Sequence, residues 1–293
     1  MELRHIRYFL AVAEELNFTK AAEKLCIAQP PLSRQIKDLE DELGTQLFLR
    51  KPHSLTLTEE GVHFRQYAIR ILELVNKSID DVKELETGLR GRLYIASVEG
   101  AAPRLLAKWI AAFKKENPNV QYDLWSGTTD EIVSRLEKGL CDLAVIMTPF
   151  SEEKVNAIPV YSEPWVAIIP KDDPLAKKKG NSVTPEELAD RELIIPSRES
   201  RRNEIRAWMS GLEKPLNVRC RVAHISSAVE LAGNGVGITI FPSSGGIIDQ
   251  DEQIVVKPIR HKTAVAKYYL IWSKERPLSK TAEVFLSSIP QTH

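Results

Sequence analysis

Cys26-Ile27-Ala28-Gln29-Pro30-Pro31-Leu32-Ser33-Arg34-Gln35-Ile36 decides how the N-terminal part of the chain is read. Two adjacent prolines suit the first turn of a helix, where their missing N–H groups have no intrahelical bond to lose. Leu32, Ile36, Leu39 and Leu43 then recur at helical spacing as a stripe for burial, and Gly44 offers a C-terminal cap. Upstream, Asn17-Phe18-Thr19 supplies capping chemistry for a shorter helix carrying Ala21, Ala22 and Leu25. Residues 3–16 place Leu3, Ile6, Leu10 and Ala13 on one helical face, with Phe9 and Leu16 beside it. Two short helices joined by a tight connection make a helix-turn-helix.

On the other face of the third helix, Gln29, Ser33, Arg34 and Lys37 project from its N-terminal half. That half meets base edges when such a helix enters the major groove. An arginine matches guanine O6/N7 and a glutamine matches adenine, whereas Ser33 and the helix end suit phosphates. Thr19, Pro30 and Pro31 join them as candidate DNA-contacting residues. Asp38, Glu40, Asp41 and Glu42 gather toward the C-terminal end and are expected to point away from DNA. Residues 1–58 therefore hold eight Lys/Arg and eight Asp/Glu, with the two signs segregated. A merely solvated face is the alternative, and the next segment counts against it. Residues 47–57 alternate and turn like a two-stranded hairpin with a basic tip of Arg50, Lys51 and His53, a wing suited to phosphate backbone or minor groove.

Thr58 caps a helix expected to run to about Leu89, giving a linker over 59–90. Phe64, Ala68, Ile71, Val75, Ser78, Val82, Leu85 and Leu89 follow steps of four and three, an a/d seam. Such a seam needs a partner, either a second copy of the chain or this chain's own C-terminal domain. A homodimer is the expected outcome, because paired half-sites multiply affinity for DNA.

The whole chain has 293 residues, 43% hydrophobic and 27% charged, with a formal net charge of zero, as expected for a soluble protein of about two domains. Zero net charge does not argue against DNA, since a footprint depends on where charges sit. The N-terminus carries no secretory pattern, and no apolar run is long enough for a membrane span. Cys26, Cys141 and Cys220 are odd in number and widely spaced. Inert thiols in a reducing cytoplasm fit that spacing, with a Cys141/Cys220 redox pair as the alternative. His5, His53, His63, His224, His261 and His293 lack metal-ligand spacing, and no nucleophile elbow, Walker or dinucleotide fingerprint occurs. No catalytic residue, metal or cofactor is therefore expected. A two-lobed solute-binding protein is a further rival, and the DNA-binding pattern argues against it.

The blocks Leu3-Arg-His-Ile-Arg-Tyr-Phe-Leu-Ala-Val-Ala-Glu, Phe18-Thr-Lys-Ala-Ala-Glu-Lys-Leu, Gln29-Pro-Pro-Leu-Ser-Arg-Gln-Ile-Lys-Asp-Leu-Glu, Leu43-Gly, Leu47-Phe-Leu-Arg and Thr56-Leu-Thr-Glu-Glu-Gly together resemble the LysR-type transcriptional regulators. The wording Cys26-Ile-Ala-Gln-Pro-Pro-Leu-Ser is most similar to the branch controlling aromatic catabolism through muconate-like effectors. The resemblance implies an α/β protein with an N-terminal winged helix-turn-helix, a long linker helix and a two-lobed periplasmic-binding-protein-like effector domain. It also implies operator or promoter DNA, a small-molecule effector (an aromatic or carboxylate metabolite) and a homodimer or homotetramer as partners, often in an activator.

Residues 91–293 support that reading independently. Strands over 92–98, 120–126 and 141–147 alternate with helices over 103–115 and 130–138, a pattern of parallel sheet. After Val160 it repeats, with strands over 165–170, 192–196, 218–223 and 236–241 and helices over 203–211 and 228–233. The strand over 267–272 and the helix over 280–289 return to the first lobe. Lobe one then covers about 91–161 and 267–293, and lobe two about 162–266. Ligands of such sheets sit at the carboxyl ends of strands. Those ends carry Ser97, Val98, Glu99, Thr128, Thr129, Pro149, Ser197, Arg198 and Ser226, the candidate effector-binding residues. Hydroxyls of Ser97, Thr128 and Thr129 form a cradle for a carboxylate or else simple helix caps. Arg201, Arg202 and Arg206 read as solvated helix residues. Glu99 leaves the effector's charge open: an anion, or an aromatic or cationic molecule paired with that carboxylate.

Overall fold

The computed structural model describes residues 1–51, 54–87, 89, 91–210, 216–243 and 252–290, with the backbone alone for 80–87. The chain forms two compact units, Met1–Gly88 and Leu89–His293.

The first unit contains α1 (Leu3–Glu15), α2 (Phe18–Lys24), α3 (Gln29–Leu43), β1 (Phe48–Lys51), β2 (Ser54–Leu57) and α4 (Glu59–Thr87). Asn17 caps α2 by accepting from the backbone N–H groups of Thr19 and Lys20 at 2.9 and 3.1 Å. Prolines occupy the first turn of α3, and Gly44 closes it at φ 69°. β1 and β2 pair antiparallel, Phe48 opposite Leu57 and Lys51 opposite Ser54. Glu40 turns inward and accepts from Leu47 N and Phe48 N at 2.8 and 3.1 Å, tying this hairpin to α3.

Phe9 is the centre of the unit's core. It is fully buried, 5.4 Å from the Phe48 ring and 4.9 Å from the Phe64 ring. The stripes expected from the sequence stop short of the helix ends. Leu3, Leu16 and Leu43 are exposed, whereas Ala11, Val12 and Ala13 are buried, because α2, α3 and α4 all pack on α1. The seam of α4 also needs correction. Phe64, Ala68, Ile71 and Leu72 close the core against α1 of the same chain, so the first half of the seam is already partnered. Further along, Leu74 and Ile79 remain 43% and 42% exposed. Leu89 lies beyond α4 and packs on the core of the second unit; the side chains of Val82 and Leu85 lie outside the described residues. Gly61 opens α4 where a Cβ would meet the Leu47 carbonyl oxygen at 2.1 Å, so only glycine lets helix and wing approach this closely.

The second unit runs β3 (Arg92–Ser97), α5 (Ala102–Glu116), β4 (Gln121–Ser126), α6 (Thr129–Glu137), β5 (Leu143–Met147) and β6 (Val155–Pro170). It continues with α7 (Pro174–Lys177), α8 (Pro185–Ala189), β7 (Leu193–Pro196), α9 (Glu199–Trp208), β8 (Val218–Val222) and α10 (Ile225–Gly233). Last come β9 (Ile238–Pro242), β10 (Ile254–Pro258), β11 (Val265–Ser273) and α11 (Lys280–Ser288). The strand order is β4-β3-β5-β11-β6-β9-β7-β8, with β10 on β6. β3, β4 and β5 are mutually parallel in one lobe, and β7, β8 and β9 in the other. The parallel pattern expected from the sequence is thus interrupted by two antiparallel strands, β6 and β11.

β6 belongs to both lobes. Val155–Pro164 pairs with β11, and Trp165–Pro170 pairs with β9 and β10. Only its second half was anticipated; the first half carries Pro159 and Pro164, residues that strand interiors disfavour. Pro159 sits beside a bulge where the register slips between Tyr268 and Tyr269, and Pro164 sits at the changeover between lobes. α11 returns to the first lobe and packs on α5, with the Phe113 and Phe285 rings 5.1 Å apart. Cys141 and Cys220 lie in different lobes, with β11, β6, β9 and β7 between β5 and β8. At about 4.8 Å per strand that spacing rules out a disulfide between them. Among the described residues no helix is long and apolar enough to cross a membrane, and no group of three His, Cys, Asp or Glu side chains fits a metal ion.

Candidate functional site

Two surfaces hold the candidate residues, one in each unit. In the first, Gln29, Pro30, Pro31, Arg34 and Lys37 are exposed along α3, Ser33 is half-buried, and Thr19 is exposed in the first turn of α2. Arg50 does not extend from the wing. It lies over the Phe18 ring at 4.8 Å, donates to Ser33 Oγ at 3.4 Å and meets Glu40 at 3.7 Å, so it lines a hollow with Gln29, Ser33, Arg34 and Lys37. Lys51 is exposed at the end of β1, and His53 lies outside the described residues. Asp38 and Asp41 line the same hollow, so the acids are not segregated to an opposite side. Asp41 follows Arg34 by two helical turns and therefore shares its face. Along α3 the basic side chains of Arg34 and Lys37 precede the acids Asp38, Glu40, Asp41 and Glu42.

In the second unit, the expected carboxylate cradle at the start of α6 is filled by the chain itself. Glu131 Oε2 accepts from Thr128 N and Thr128 Oγ1, both at 2.8 Å, and Thr128 Oγ1 accepts from Glu131 N at 3.3 Å. This capping box holds the Glu131 carboxyl below its usual range, chiefly through the Thr128 backbone N–H and then its hydroxyl. Thr129 is buried and donates to Met147 O at 3.3 Å. Ser97 is buried at the end of β3, and Val98 N donates to Val145 O at 3.0 Å. Pro149 and Ser226 are exposed, and Ser197 O accepts a hydrogen bond from Arg202.

Two side-chain contacts join the lobes. Arg198, just before α9, donates to Asp130 of α6 at 2.8 Å. His224, just before α10, meets Glu99 after β3 at 2.7 Å. Arg201 overturns the expectation of a solvated residue. It is only 5% exposed, and its Nη1 donates to Glu204 at 2.8 Å. Burial pushes its guanidinium pKa down, opposed by Glu204. Arg206 does face solvent.

Glu163 on β6 is 3% exposed and accepts from Tyr268 OH at 2.5 Å, while that hydroxyl accepts from Ala101 N at 3.3 Å. Burial raises the Glu163 pKa, opposed by the Tyr268 hydrogen bond and by Arg104, and burial followed by the Glu163 charge raises Tyr268. A carboxyl with a raised folded pKa binds its proton more tightly folded than unfolded. Its contribution to stability is therefore lost as pH rises from the ordinary glutamate range through the raised value. Glu163→Gln keeps an acceptor for Tyr268 and removes the ionisation. The variant is expected to melt above the parent at pH 7.5, with the advantage vanishing near pH 4.5; an equal difference at both pH values would contradict this.

Comparison with known proteins gives the frame for both surfaces. The profile of the bacterial regulatory helix-turn-helix protein, lysR family, matches residues 3–62, and that of the LysR substrate binding domain matches residues 86–292. The chain belongs to the LysR family. The Hca operon transcriptional activator HcaR of Escherichia coli is 31% identical over 94% of this chain and 92% of its own. The HTH-type transcriptional regulator BenM of Acinetobacter baylyi is 33% identical over 83% of this chain and 81% of its own. The crystal structure of full-length CbnR complexed with its target DNA superimposes with a TM-score of 0.79 at 26% identity, covering 99% of both chains. This LysR protein is accordingly a DNA-binding transcriptional regulator with a small-molecule-responsive domain. Trp165, Glu163, Arg201 and Tyr268 are buried side chains with polar atoms that sequence reading missed. Arg201 shares a helical face with the buried Ile205 and Trp208, and Glu163 alternates with Tyr161 and Trp165 along β6, periodicities visible once the charge is disregarded.

Proposed function

We propose that this regulator binds its operator through α3 and the wing, and that a small molecule in the cleft of the second unit controls that binding. Gln29 and Arg34 read base edges. Thr19, Pro30, Pro31 and Ser33 approach the backbone, and Lys37, Arg50, Lys51 and His53 supply phosphate contacts. The observation that carries the regulatory reading is the pair of cross-cleft contacts, Arg198 with Asp130 and Glu99 with His224. Asp130 is 81% exposed, so its pair with Arg198 lies in the range of about 0–1 kcal/mol typical of exposed ion pairs. A ligand therefore needs little differential affinity to shift the balance between lobe arrangements. The lobe that begins at β3 follows α4 directly in the chain, which gives a route from ligand to DNA. Ser97, Val98, Pro149, Ser197 and Ser226 border the proposed cleft, while Thr128, Thr129, Glu99 and Arg198 are committed to internal partners. The protein acts in the cytoplasm without a cofactor or catalysis of its own.

We also propose dimerisation through the outer part of α4, where Leu74 and Ile79 remain exposed. Leu74→Asp with Val75→Asp leaves the Phe9–Phe64 core untouched and is expected to give monomers with weakened operator binding; sedimentation of an intact dimer would contradict it. The regulatory reading is tested by screening metabolites for thermal stabilisation of the full chain, then titrating each hit into a mobility shift with operator DNA. Hits that stabilise the protein and change DNA affinity are expected; stabilisation with unchanged DNA affinity would contradict the reading.

A further inference from the structure

The four acids that follow Arg34 and Lys37 on α3 meet two different fates. Glu40 accepts from the backbone N–H groups of Leu47 and Phe48, and Glu42 meets the amino group of Met1. Asp38 and Asp41 are exposed and line the hollow shared by Gln29 and Arg34. Arg34 stands one helical turn before Asp38, and Lys37 one turn before Asp41. Among the described residues neither couple forms an ion pair, and no other cation meets either aspartate.

Asp38 differs from Asp41 in being aimed. Glu2 N donates to His5 Nδ1 at 3.4 Å, so the ring proton lies on Nε2, which donates to Gln35 Oε1 at 3.1 Å. With its oxygen turned to His5, the Gln35 amide directs Nε2 at Asp38 and donates to Oδ2 at 3.2 Å. His5 and Gln35 are half-buried where α1 meets α3. One carboxylate oxygen is thus held by a residue outside the hollow. The other, Oδ1, accepts from no group among the described residues.

A carboxylate on a DNA-facing surface is repelled by the phosphates around it. Only hydrogen-bond donors make it favourable there, and the major groove offers the N4 amino group of cytosine and the N6 amino group of adenine. Adenine sets the acceptor N7 beside N6, which suits the two-sided amide of Asn or Gln. Cytosine presents its amino group alone, which suits an acceptor-only carboxylate. Arg34 and Asp38 are separated by about 6 Å along the helix axis, roughly two base-pair steps.

We infer that Asp38 is a specificity-determining residue, its carboxylate accepting from cytosine N4 about two base pairs from the base that Arg34 reads. This rests on α3 being the helix that enters the major groove. Gln35 is a positioning residue for Asp38. The same charge lowers affinity for sequences without that amino group, so Asp38 works by rejecting wrong DNA as well as by binding the right one.

The test is selection of sites from randomised double-stranded DNA by the full chain, followed by anisotropy on the selected site and on random DNA. The parent protein is expected to enrich half-sites with a guanine and, about two base pairs away, a cytosine. Asp38→Ala is expected to keep the guanine, erase the cytosine and bind the parent site on the order of tenfold more weakly, with random DNA bound as tightly or tighter. In Asp38→Asn, Gln35 holds the amide oxygen and the outward group becomes a donor. Preference is then expected to leave cytosine for bases that present an acceptor in its place, a change no merely structural aspartate produces. Gln35→Leu is expected to blur that position and no other. Alanine is the better helix former, so Asp38→Ala is expected to melt at or above the parent; a clear drop would make Asp38 structural and overturn the assignment. Loss of the guanine in Arg34→Ala with an unchanged motif in both Asp38 variants would overturn the Asp38 assignment alone. Equal tightening of Asp38→Ala on the parent site and on random DNA would overturn it too, leaving the carboxylate simply repulsive. No motif from the parent protein, or the parent motif from Arg34→Ala, would overturn the α3 reading and this inference with it.

Discussion

Arg34→Ala is expected to lose about 1–3 kcal/mol of operator binding, roughly five- to 150-fold, and to relax preference at one base position per half-site. Arg34 stands exposed on the N-terminal half of α3, among the donors that the hollow beside the wing presents. Arg50→Ala probes the other kind of contact. Its side chain braces Ser33 and Glu40, so removing it lowers affinity for all sequences and also loosens the wing against α3. Salt titration separates the two effects: loss of a phosphate contact lowers the salt slope by about one, whereas loss of a base contact leaves it unchanged. Equal, sequence-blind losses for both variants would contradict this division of roles.

Phe9→Ala is expected to destabilise the first unit by about 3–5 kcal/mol, a large share of the roughly 5–15 kcal/mol that small domains possess. Phe9 is where α1 meets the wing through Phe48 and α4 through Phe64. Truncation leaves a cavity between elements already held at fixed distance, so the site collapses poorly. In calorimetry of the full chain, the part of the unfolding that reports the first unit should move to lower temperature, with DNA binding lost first. A parent-like melting profile would mean that this core repacks freely.

Much of the fold was legible because its signals are local. The prolines and Gly44 bracket α3, and the steps of four and three mark α4. The alternation of apolar strands with amphipathic helices over 91–147 announces the first lobe. Legibility failed where long-range geometry overrides local propensity. The missed half of β6 carries Pro159 and Pro164, which a bulge and a lobe changeover absorb. Charge hid Arg201, because the partners that let it be buried lie on another strand and a later turn of α9. Thr128 was the opposite case: its capping box with Glu131 is local, yet the hydroxyl read equally well as a ligand contact. The cross-cleft pairs join residues 68 and 125 positions apart, a relation no spacing rule encodes.

The central claim is sequence-specific DNA binding set by α3. Its most direct measurement is fluorescence anisotropy of the full chain on DNA from upstream of its own gene and on random DNA of equal length, at about 0.15 M salt. The account predicts a discrete footprint with affinity on the order of a thousandfold or more above random DNA, most of that ratio falling away in Arg34→Ala. Equal affinity for both DNAs, or a ratio unchanged by Arg34→Ala, would contradict it.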